Sequence, residues 1–169
     1  MSRWRFWLLT LGFDLYWGLA VALRERIWLA LSAVALLAWL LCPREVKVRL
    51  LVVAAGGVAL DSLWLSSGLF SFNGIAFFPP WMLALWLVFA CWWWLLQQRF
   101  ALRSPLLALV GALGGPFAYF VGERLGAMQL HQPALLVFGV LAVGWAIYLP
   151  LVSACLGCSE CQPRAERKR

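Results

Sequence analysis

The sequence predicts an all-α fold, a compact bundle of six transmembrane helices, and three observations carry that prediction. Hydrophobic residues make up 64% of the 169-residue chain and charged residues only 12%, a balance outside that of soluble domains. Six apolar runs follow one another along the chain, each near the roughly 20 residues that cross a bilayer. Lysines and arginines then fall unequally on alternate sides of those runs, eleven against three. The runs are too long and too uniformly apolar for the alternation of barrel strands, and backbone groups in lipid must be satisfied within the segment, so helices follow.

The first run, 6–23, comes after Arg3 and Arg5 and ends near Ala20-Val21-Ala22, which imitates a secretory signal with an A-x-A cleavage site. Asp14 in its centre argues for a retained span. The second and fourth runs, 27–42 and 81–96, are short, so their ends borrow flanking residues or thin the bilayer. The third, 50–70, holds a second central acid, Asp61. No charge occurs from 62 to 98, and the connection 71–80 is itself apolar. It is expected to fold into the outer interface or cap the bundle, as lid or anchor, with Asn73-Gly74 as a turn and Pro79-Pro80 stopping any helix before Trp81. The fifth and sixth runs are 105–122 and 134–156. Residues 157–169 form a basic tail.

On one side lie Arg3, Arg5, Arg44, Lys47, Arg49, Arg99, Arg103 and four basic residues of the tail; on the other lie Arg24, Arg26 and Arg124. This asymmetry predicts that both termini are cytoplasmic. It also explains the formal charge of +7 as a topology signal, which excludes nucleic-acid binding as its reading. The tail either rests against anionic headgroups or serves as a solvated topology determinant.

Twelve tryptophans divide into two groups. Trp4, Trp7, Trp28, Trp81 and Trp92 to Trp94 suit an interfacial belt. Trp17, Trp39, Trp64 and Trp86 fall deeper and either fill the core or line a cavity for an apolar or flat ligand.

Span five carries the most distinctive pattern. Gly114, Ala118, Gly122 and Gly126 recur every four residues and form a smooth face, beside Gly111 and Gly115. Small residues on one face let another helix approach closely. Pro116 removes the bond to Ala112 and is expected to kink the helix.

The run from Gly111 to Ala127, Asp61 followed by Gly68 and Phe70, Pro80-Trp81 to Leu85-Trp86, and Gly144-Trp145-Ala146 to Pro150 together resemble a family of small bacterial inner-membrane proteins classed only as a domain of unknown function. The resemblance extends to about Leu156 and implies a six-span inner-membrane protein with no established activity. Members of that family carry polar residues, often Asn-His-Ser, near the cytoplasmic end of span four, where this chain has Trp94-Leu95-Leu96. A looser likeness in size and topology is to the substrate-binding subunits of energy-coupling-factor transporters and the small membrane component of the rod-shape machinery.

A carboxylate at the bilayer centre costs roughly 2.5–3.5 kcal/mol on insertion scales, so Asp14 and Asp61 are functional candidates. They act either as polar clamps between helices or as a substrate or proton site. With them, Trp17, Tyr119, Glu123 and Arg124 complete the candidate ligand contacts. Glu123 and Arg124 are adjacent, a spacing at which side chains do not face one another on a helix. Arg124 either holds a lipid phosphate or substrate carboxylate, or snorkels.

Cys155, Cys158 and Cys161 make a C-x-x-C-x-x-C run whose fourth cysteine is replaced by Ala165, so no cluster or metal is expected. Cys42 and Cys91 read as buried fillers, and His131 as a surface residue. No nucleophile–base pair, phosphate loop or dinucleotide fingerprint appears, and no cofactor is expected. The sequence therefore points first to a non-catalytic membrane subunit that binds a lipid or small apolar molecule. The alternatives are an assembly partner, or a homo-oligomer, docking through the glycine face of span five, and a lipid-modifying enzyme using the aspartates.

Overall fold

The computed structural model describes residues 3–74, 78–100 and 102–157. Among them are five helical stretches long and apolar enough to cross a membrane: Trp4–Leu41, Arg44–Ser66, Pro80–Gln97, Ser104–Arg124 and Ala134–Gly157. The first is not one rod. A 3-10 turn at Arg24–Ile27, in which Arg24 takes φ of 47°, divides it into α1 (Arg3–Leu23) and α2 (Trp28–Leu41). The Tyr16 hydroxyl donates to the Leu31 carbonyl at 3.0 Å. Along a straight helix those residues would stand about 22 Å apart, so the chain folds back at Arg24.

Prolines set the remaining helix starts. Pro43 precedes α3 (Arg44–Ser66), Pro79 and Pro80 open α4 (Pro80–Gln97), Pro105 lies in the first turn of α5 (Ser104–Arg124), and Pro133 precedes α6 (Ala134–Gly157). Proline suits these places because the first-turn amides need no helical acceptor. The expected third span, 50–70, is corrected at both ends. Its helix begins at Arg44 after Pro43 and stops at Ser66, because Gly68 reverses the chain at φ of 71°.

Residues 67–72 instead lead into a strand, which the all-α prediction did not contain. β1 (Phe70–Phe72) pairs antiparallel with β2 (Met128–Leu130), with Phe70 opposite Leu130 and Phe72 opposite Met128. The described start of the connection 71–80, residues 71–74, is thus tied to the turn that follows α5. Asn73 donates from its backbone to the Ala127 carbonyl and from its side chain to the Gly126 carbonyl, each at 3.0 Å, and Gly74 makes the expected turn at φ of 107°.

α3–β1–α4 and α5–β2–α6 are two versions of one unit. Gly57, Asp61 and Gly68 are followed 58 residues later by Gly115, Tyr119 and Gly126. Gly68 and Gly126 end α3 and α5 with the same paired bonds: Leu69 to Trp64 and Gly68 to Leu65 in the first, Ala127 to Gly122 and Gly126 to Glu123 in the second. Only a residue free to take positive φ closes a helix this way. A Cβ on Gly57 would collide with the Trp86 ring, and one on Gly115 with the Trp145 ring. Those two indoles stack on each other, centroids 5.5 Å apart and planes 16° apart. Together with the antiparallel β1–β2 pair, this is the arrangement that a two-fold axis between the halves produces.

Around that repeat, α4 is the central helix, packed by α1, α2, α3 and α6. The expected tryptophan belt is only partly realised. Trp4, Trp7 and Trp28 are exposed, but Trp81 and Trp93 are buried, because their N–H groups find partners inside: Glu25 at 3.1 Å and Ser153 at 2.9 Å. Trp92 stacks on Phe13 with centroids 4.1 Å apart. Of the four deep tryptophans, Trp64 packs over Gly144, while Trp39 reaches the first turn of α3 and donates to the Lys47 carbonyl at 3.2 Å.

Candidate functional site

Asp61 is fully buried, with no exposed surface. It occupies α3 one turn beyond Gly57, and Gly57 is what lets the Trp86 ring from α4 reach it. One carboxylate oxygen accepts the Trp86 indole N–H at 2.7 Å. The other is hydrogen-bonded to the Tyr119 hydroxyl from α5. No basic side chain among the described residues forms an ion pair with it. Indole N–H can only donate, whereas a phenol both donates and accepts, so the Asp61–Tyr119 pair can share a proton in either direction. Tyr148 closes the cluster from α6, donating to the Val53 carbonyl at 2.7 Å.

Trp86 and Tyr119 present their other surfaces to a cavity of about 80 Å³. α1 supplies Phe13, Trp17 and Val21; α4 supplies Trp81, Met82, Leu85, Trp86 and Phe89. The far wall comes from Ala118, Tyr119 and Gly122 of α5 and Trp145 of α6, under a roof of Phe72, Ala127 and Met128 from the strand cap. Space exists there because small residues stand where bulk would fill it: a Cβ on Gly122 would meet only Val21, at 4.0 Å. Eight of the fifteen lining residues are aromatic and none carries a charge. The chamber's surface is therefore almost wholly apolar and aromatic.

Measured against the sequence expectations, the structure gathers some candidates and scatters others. Trp17 and Tyr119 line the cavity, and Asp61 stands directly behind two of its walls. Asp14 is exposed midway along α1, away from Asp61 and with no hydrogen-bond or ion-pair partner among the described residues. Glu123 and Arg124 lie at the end of α5 outside the cavity. Contrary to expectation they do meet, Arg124 Nε standing 3.7 Å from Glu123 Oε2, since the helix ends there and frees the side chains to turn; Arg124 also covers the Phe120 ring.

The expected packing face of span five is likewise redistributed. Gly111 and Gly115, not the row beginning at Gly114, bring α6 close: a Cβ at 111 would strike the Trp145 backbone and one at 115 its ring. Nothing lies within 4 Å of a Cβ placed on Gly114. Ala118 and Gly122 face the cavity, and Gly126 lies beyond the helix in its closing turn. Pro116 sits inside α5, which stays helical through it.

No group of His, Cys, Asp and Glu suited to a metal occurs among the described residues; Cys155 is a free thiol, and Cys158 and Cys161 lie outside those residues. Cys91 is buried as expected, Cys42 only partly. His131 is exposed but not alone, its Nε2 standing 2.8 Å from the Ser71 hydroxyl across the β1–β2 pair.

Sequence reasoning missed Phe13, Phe89 and Trp145 as cavity walls. The signal available for Trp145 was the recurrence of a glycine followed by a distant tryptophan, Gly115 and Trp145 after Gly57 and Trp86, with one residue more between them in the second half.

Fold and site together define a class, the multi-pass helical membrane protein with an aromatic chamber at the contact between two repeats. Residues 6–151 match the family described as protein of unknown function (DUF2878), and the chain belongs to that family. No curated protein and no solved structure matches it significantly.

Proposed function

We propose that the protein is a non-catalytic subunit of a bacterial inner membrane that holds a lipid or a small apolar molecule in the chamber between α1, α4 and α5. The observation that carries this reading is the chamber's wall, where Trp86 and Tyr119 are fixed from behind by Asp61. A carboxyl placed at such depth is costly unless it holds something in position. Binding at the contact of two repeats near mid-membrane is also the habit of small transport proteins.

Six crossings with both termini in the cytoplasm belong to the same reading. The fold-back at Arg24 divides the first apolar stretch, and the eleven-to-three distribution of basic residues orients the whole. Docking of another protein through the span-five glycines has less support, because Ala118 and Gly122 face the chamber. Asp14 and Asp61 stand apart, so a reaction using both carboxylates has none.

The test is native mass spectrometry of gently purified protein, with released molecules identified. A defined stoichiometric ligand is expected in the parent chain and is lost in Gly122→Leu, which fills the chamber. Bulk phospholipid alone in the parent would overturn the reading.

A further inference from the structure

Three of the chamber's polar edges point away from it. Trp86 and Tyr119 direct their N–H and O–H groups at Asp61, and Trp81 directs its N–H at Glu25, while neither carboxylate is part of the lining. What these rings offer the interior is therefore π surface. A carboxylate accepting from the edge of an indole or phenol adds electron density to the ring and strengthens its attraction for a cation over its face. Asp61, moreover, has no basic partner among the described residues, and Arg24, beside the turn that follows α5, gives its guanidinium to the Gly126 carbonyl.

We propose that the chamber takes an organic cation, an alkylammonium group carried on an apolar body, held by cation–π contact with Trp86, Trp81, Tyr119 and Trp17. This rests on the reading of the chamber as a binding site and adds the chemical class of its occupant. A quaternary ammonium needs no hydrogen-bond partner, which suits walls whose Trp81, Trp86 and Tyr119 donors are already engaged outside the chamber. Its charge supplies the counter-ion that Asp61 lacks.

The test compares choline with 3,3-dimethylbutanol, its uncharged isostere, by titration calorimetry on the purified full chain. Choline is expected to bind at least ten-fold more tightly. Asp61→Asn is expected to bring choline down to the level of the isostere and leave the isostere unchanged. Trp17→Leu, on α1 and outside the hydrogen bonds of Asp61, provides a second check should the first variant not fold, and is expected to weaken choline several-fold more than the isostere. Equal binding of the two probes, or preference for the isostere, overturns the cation and leaves the chamber a site for neutral molecules. Binding of neither probe overturns both.

Discussion

In the first repeat Gly57 receives the ring of Trp86, whose N–H is given to Asp61; in the second, Gly115 receives Trp145, whose buried N–H has no acceptor among the described residues. The frame is shared and the polarity is not. At the position where α3 carries Asp61, α5 carries Tyr119, and the two meet as acceptor and donor across the contact between halves. Two copies of the aspartate would set like charges against each other, and two tyrosines would leave both indoles without a carboxylate. The difference teaches that one carboxyl serves both halves, so the site exists only when they are together.

Removing that carboxyl is the sharpest way to break the arrangement. Asp61→Leu leaves the Trp86 N–H and the Tyr119 O–H buried without an acceptor, at roughly 1–3 kcal/mol each. A loss of about 2–6 kcal/mol is expected, read from reversible unfolding in mixed micelles, with collapse of the near-ultraviolet tryptophan dichroism. Unchanged stability would mean that Asp61 does not join the halves. Tyr119→Phe removes one bond instead of two and is expected to cost about 1–3 kcal/mol in the same assay, with the Trp86 signal retained.

The glycine pair tests whether the halves are mechanically equivalent. Gly57→Ala and Gly115→Ala each drive a methyl into an indole, and overpacking of this kind costs about 1–3 kcal/mol. Gly114→Ala, one residue along the same helix, meets nothing and is expected to be neutral or slightly stabilising. If alanine is tolerated at one repeat glycine and not at the other, only one half needs the close approach.

The class of the protein and the importance of Asp61 were legible because each depends on composition: apolar runs of spanning length, and a carboxyl within one. The starts of α4, α5 and α6 were legible beside Pro80, Pro105 and Pro133, whereas α3 begins after Pro43 and its apolar run was read only from 50. The chamber was not, because its walls come from four helices and a strand cap, and no local pattern separates Phe13 or Phe89 from an ordinary core residue. The repeat left a trace, glycines 57 and 68 recurring at 115 and 126, but Asp61 and Tyr119 share no chemistry that a comparison of residue types would register. The small-residue row of span five misled for a related reason. Helical spacing identifies a smooth face but not what lies across from it, and here a chamber does.

Asp14 gives the smallest expected effect and the cleanest contrast with Asp61. Both acids sit within apolar runs, and local sequence does not distinguish them, yet one is sealed between three helices and the other is exposed on α1. A side chain that is exposed and has no polar partner among the described residues keeps much the same surroundings when the helices separate within the bilayer. Asp14→Leu is therefore expected to leave the unfolding midpoint in mixed micelles unchanged, while insertion of α1 on its own becomes easier by about 3 kcal/mol in a translocon assay. A marked loss of folded stability in Asp14→Leu would show instead that Asp14 has a partner within the bundle, and the two aspartates would then differ in what they bind and not in whether they bind.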